Sequence, residues 1–65
     1  MTIDQLLFHL VAHGLKEPRV EMSLSHANEF RCSVSWLGGW LTVARNEGEV
    51  FENYLERVYR LVVKP

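Results

Sequence analysis

Apolar and polar residues alternate through Phe30-Arg31-Cys32-Ser33-Val34-Ser35-Trp36 and again through Trp40-Leu41-Thr42-Val43, with Gly38 and Gly39 between them. A period of two puts Phe30, Cys32, Val34, Trp36, Leu41 and Val43 on one face of a β-hairpin. A Gly-Gly loop supplies positive φ at both turn positions without steric cost. It predicts a register in which Leu37 faces Trp40, Trp36 faces Leu41, Ser35 faces Thr42 and Val34 faces Val43. Leu37 and Trp40 then share the other face with serines and a threonine, as an apolar corner on a polar sheet.

The period changes on either side of the hairpin. Ile3, Leu6, Leu7, Leu10 and Val11 recur at helical spacing within residues 2–14. Thr2 with Gln5 forms a capping box, and Gly14 followed by Leu15 forms a Schellman-type stop. Pro18 prevents the helix from continuing. Arg19 to Ser25 alternates again, with Val20, Met22 and Leu24 inward, and His26-Ala27-Asn28-Glu29 turns the chain into the hairpin. Beyond the hairpin, Asn46 and Glu49 offer a second capping box for a helix running to about Val62, with Val50, Phe51, Tyr54, Leu55, Val58 and Val62 as its buried stripe. Glutamates crowd its first half and Arg57, Arg60 and Lys64 follow, an order that complements the helix dipole.

These elements define a single α+β domain over residues 1–65, of αβββα order. A three-stranded antiparallel meander carries both helices on one face. The opposite face, with Arg31, Ser33, Ser35, Leu37, Trp40 and Thr42, is left open.

Composition narrows the function classes. A chain of 65 residues with 48% hydrophobic and 23% charged residues is that of a small folded protein. So small a core leaves room for self-association. A net charge of −1 lacks the basic excess of a general nucleic-acid binder. The apolar runs are too short to span a membrane, and Asp4 and His9 interrupt what would be a signal peptide. One cysteine forms no internal disulfide, so the cytoplasm is the default compartment.

Candidate chemistry is sparse. His9 and His13 stand four residues apart on one helix, but Leu10 occupies the position where a zinc protease needs glutamate, and a four-ligand structural set is not met. No metal or other cofactor is expected. Cys32 falls on the inward face, where a free thiol is inert. The serines read as the outward half of strands. No catalytic residue is assigned, and the chain reads as a non-enzyme. Glu49, Glu52 and Glu56 fall along one helical face about 5–6 Å apart between neighbouring Cβ atoms, and such a row can imitate phosphates. They also suit a solvated helix start.

The αβββα order resembles, over the whole chain and in topology, the double-stranded RNA-binding domain. That family clamps phosphates with a glycine-rich turn and a lysine cluster at the start of its last helix. Here Asn46-Glu47-Gly48-Glu49-Val50-Phe51-Glu52 is acidic and would repel phosphate, so direct nucleic-acid binding is not expected. In size, near-neutral charge and acidic helix, the chain also resembles small phage and mobile-element inhibitors of the anti-CRISPR kind. That resemblance implies a protein-binding inhibitor or adaptor that covers a host protein or nucleoprotein complex. Trp40, Leu37 and Arg31 would anchor one surface, and Glu49, Glu52 and Glu56 another. The alternatives are a nucleic-acid-binding module using the open sheet face, with Arg31 and Trp40 stacking on bases, and a structural homodimer.

Overall fold

A computed structural model of the chain describes residues 1–64. The element order is α1 (Ile3–Ala12), β1 (Arg19–Leu24), β2 (Phe30–Trp36), β3 (Gly39–Ala44) and α2 (Phe51–Val63). The strands form one antiparallel sheet in the order β1-β2-β3, so the α+β class and αβββα order hold.

Both termini of α1 form as the sequence dictates. The Gln5 N–H donates to Thr2 Oγ1 (3.1 Å) and the Thr2 N–H to Gln5 Oε1 (2.8 Å), closing a capping box. At the other end Gly14 takes a φ of 101°, while Leu15 N–H donates to the Leu10 carbonyl and Gly14 N–H to that of Val11. This is a Schellman stop.

The second helix starts later than its sequence suggests. The Asn46 N–H does bond Glu49 Oε1 (3.0 Å), but Gly48 takes a φ of 76° and breaks the backbone path. Residues 46–49 close one turn only, and α2 begins at Phe51 with Val50 as a cap that offers no side-chain bond. Val50 and Phe51 are therefore exposed rather than part of the buried stripe, and so is Val11 on α1.

The core consists of Leu6 and Leu10 from α1, Cys32 and Val34 from β2, Val43 from β3, and Tyr54, Leu55 and Val58 from α2. Half-buried Val20, Met22, Trp36 and Leu41 pack against it from the same sheet face. The helices thus bury one face, as the alternation requires. Leu24 and Phe30 pair with each other at the far end of that face and are exposed, so the helical cover stops short of them. No helix among the described residues is long and apolar enough to cross a membrane.

The hairpin register differs from the expected one. Trp36 pairs with Gly39, Ser35 with Trp40 and Val34 with Leu41, so the loop is Leu37-Gly38. The slip is two residues, which keeps every side chain on its expected face. Only Gly38 needs glycine for its backbone, with a φ of 124°. Gly39 answers a different demand: a Cβ there would come within 3.0 Å of the Trp36 indole, which lies across it.

Candidate functional site

The uncovered sheet face is built in rows set by the register. Arg19, Ser35 and Trp40 form the row nearest the hairpin loop, followed by Glu21, Ser33 and Thr42, and then by Ser23, Arg31 and Ala44. In the middle row Ser33 and Thr42 are small beside the exposed Glu21, and Ser33 Oγ and Thr42 Oγ1 hydrogen-bond at 3.1 Å. Trp40 rises from this platform 76% exposed, and Leu37 projects from the loop 69% exposed. Leu37 does not face Trp40 across the strands as expected; it occupies the loop, where its N–H donates to the Lys16 carbonyl (3.0 Å). Both remain apolar and open to solvent at the same end of the sheet.

Arg31 stands apart from that corner. It pairs with Ala44, four residues along β3 from Trp40, or about 13 Å of strand rise. Its guanidinium is 3.7 Å from Glu29 and half exposed, a weak surface pair. The cation in the Trp40 row is Arg19, which sequence reading missed. Among the described residues Arg19 makes no ion pair. Beside it a shallow depression of about 460 Å³ is lined by Glu17, Pro18, Arg19, Ser35, Trp36 and Leu37. Glu17 holds a φ of 52° immediately before Pro18, a left-handed conformation uncommon for a residue with a side chain. The five-residue loop between β1 and β2 hid this row, because nothing in its sequence sets the β1 register as firmly as a two-residue turn does.

The acidic row does not form. Glu49 precedes α2 and turns inward, where Arg57 Nε donates to its Oε2 and Arg57 Nη2 to its Oε1, both at 2.8 Å. Its side chain is 13% exposed. The Arg57 bond and the Asn46 N–H hold its carboxyl down to about 2, against an ordinary value of 4.5. Arg57 Nη2 also donates to the Ala44 carbonyl (2.7 Å), and Arg45 Nε to the Glu49 carbonyl (2.8 Å). Glu49 is therefore a latch joining the end of β3 to α2. Its partner stands eight residues away, a spacing that carries no helical signal because Glu49 lies outside the helix. Glu56 pairs with Arg60 at 2.6 Å, and Glu52 stays exposed in the first turn of α2. Two carboxylates remain where three were expected.

The Tyr59 ring is near both histidines, with centroids 5.8 Å from His9 and 6.3 Å from His13. Among the described residues no three His, Cys, Asp or Glu side chains converge as a metal site. Cys32 is fully buried and its thiol pKa is pushed up by that burial, away from the nucleophilic thiolate. Tyr54 is buried with its hydroxyl donating to the Val43 carbonyl.

No family model, curated protein or solved structure matches this chain.

Proposed function

We propose that this protein is a non-enzymatic binding module that covers part of a larger protein with the outer face of its sheet, as a small inhibitor or adaptor does. The observation that carries the reading is Trp40, exposed on the outer face with Arg19 in its row and Leu37 exposed at the same end of the sheet. Tryptophan and arginine are the residue types most enriched at interface hot spots. The partner surface that fits would offer an apolar side chain to Trp40 and Leu37 and a carboxylate to Arg19. Acidic mimicry is the weaker half of this reading, because Glu49 is engaged within the fold.

The test is affinity capture from nuclease-treated lysate of the source cells, with Trp40→Asp and Arg19→Glu variants alongside. The expected result is a defined protein complex held by the wild type and lost by both variants, while each variant keeps the wild-type circular dichroism and melting curve. Equal capture by the variants, or recovery of the bait alone, overturns the proposal. A complex captured only when the nuclease is omitted moves the reading to nucleic acid.

A further inference from the structure

The two free edges of the sheet are built differently. In a hairpin with a two-residue loop, the residues flanking the loop exchange hydrogen bonds, and every second pair after them does the same. Trp36 with Gly39 therefore bonds, as do Val34 with Leu41 and Cys32 with Val43, and the bond from Arg45 N–H to the Phe30 carbonyl extends the series. Trp40, Thr42 and Ala44 consequently aim their backbone groups away from β2, at the open edge. The Ala44 carbonyl is already taken by Arg57. Among the described residues nothing bonds the N–H or C=O of Trp40 or Thr42.

Edge strands are ordinarily protected by charge, proline or cover. The β1 edge follows that rule, with Pro18 just before it and Arg19 and Glu21 within it. The β3 edge, Gly-Trp-Leu-Thr-Val-Ala, carries neither a charge nor a proline.

We infer that β3 pairs with β3 of a second copy of this chain, antiparallel about a two-fold axis at Leu41, to give a six-stranded sheet. It uses the backbone of the β3 edge, whereas the binding reading uses side chains of the outer face; Trp40 belongs to both. The occupant follows from symmetry. With the axis at Leu41, Trp40 of each copy lies opposite Thr42 of the other, so the two residues with free backbone groups satisfy each other in four hydrogen bonds. No other strand is needed to supply complementary groups. On the outer face each Trp40 packs against a Thr42 side chain, an aromatic and β-branched pair favoured across strands. On the inner face the two half-buried Leu41 side chains meet at the axis, in a non-hydrogen-bonded pair where side chains approach most closely. Gly39 of one copy falls opposite Val43 of the other, which leaves room at the ends. A formal charge of −1 per chain opposes association only weakly.

The test is sedimentation velocity on the purified chain across a concentration series, with Thr42→Pro and Thr42→Val variants. The Thr42 N–H points away from β2, so proline there removes an edge donor without breaking the hairpin ladder. The wild type should move from 7.6 kDa toward twice that mass as concentration rises. Thr42→Pro removes two of the four bonds and should weaken association roughly tenfold or more, whereas Thr42→Val should leave it unchanged. Hydrogen exchange on the wild type keeps the inference testable if Thr42→Pro fails to fold. The Trp40 and Thr42 amides should gain protection with concentration, and those of Val20, Met22 and Leu24 on the β1 edge should not. A wild type that remains monomeric throughout, or concentration-dependent protection on β1 instead, overturns the inference.

Discussion

Trp36 and Trp40 lie four residues apart on one hairpin and on opposite faces of it. Trp36 is half-buried, laid across Gly39 and packed against the core from the side the helices cover. Trp40 stands in solvent beside Ser35, on a face with no cover. Strand parity sets the two on opposite faces but does not say which face is covered. What separates them is the supply of helices: α1 and α2 each have one apolar stripe, and both stripes are spent on the inner face. The outer face is accordingly dressed with Ser33, Ser35 and Thr42, which need no burial. Trp40 is the exception in that set. It is mostly in solvent, so it contributes little to the fold where it stands.

The comparison breaks most sharply at the core. Leu55 is fully buried on α2, facing the side of the sheet that holds Trp36. Leu55→Ala should cost about 2–5 kcal/mol through lost burial and the cavity left behind. At about 0.05–0.15 kcal/mol per residue, a chain of this length has only about 3–10 kcal/mol to lose. Urea unfolding should show the midpoint collapse, or no folded baseline at all. A loss below about 1 kcal/mol would mean that the inner face is not a packed core.

Much of this division was legible in the sequence. Alternation with a period of two assigned each strand residue to its face, and that assignment survived even a two-residue error in register, because a slip of two preserves parity. Both ends of α1 were written in local signals, Thr2 with Gln5 and Gly14 with Leu15. The start of α2 was not, because Gly48 overrode a capping pattern that Asn46 and Glu49 half complete. The candidate site was legible only in part. Trp40 and Leu37 follow from the hairpin pattern, but the place of Arg19 in the Trp40 row depends on long-range pairing. The inward turn of Glu49 depends on Arg57, a partner that no local spacing selects.

Glu49 gives the comparison a pH dependence. Its folded carboxyl titrates at about 2 rather than 4.5, so the folded state binds that proton less readily than the unfolded chain does. The sign follows: the latch stabilises the fold fully above the ordinary value and is lost as pH falls from about 4.5 toward 2. Urea midpoints measured through this window should decline for the wild type and decline less for Glu49→Gln, which begins lower at neutral pH. The effect should be smaller than that of Leu55→Ala, because the latch lies at the margin of the core. Parallel pH profiles for the two proteins would show that the Glu49–Arg57 pair does not hold α2 to β3.

The smallest expected effect isolates the two tryptophans from each other. Trp40→Ser removes a side chain that is mostly in water and is paired across the sheet only with Ser35, so stability should change by about 0.5 kcal/mol or less. Measured at low concentration, where chains are separate, the urea midpoint should stay near that of the wild type. Fluorescence supplies the second arm. The variant retains only Trp36, whose partial burial should move the emission to shorter wavelength than the wild-type average and reduce quenching by a soluble quencher. A stability loss of about 2 kcal/mol or more would place Trp40 in the fold's own packing. An unshifted emission would mean that the two indoles share one environment, and the contrast between the faces would fail with it.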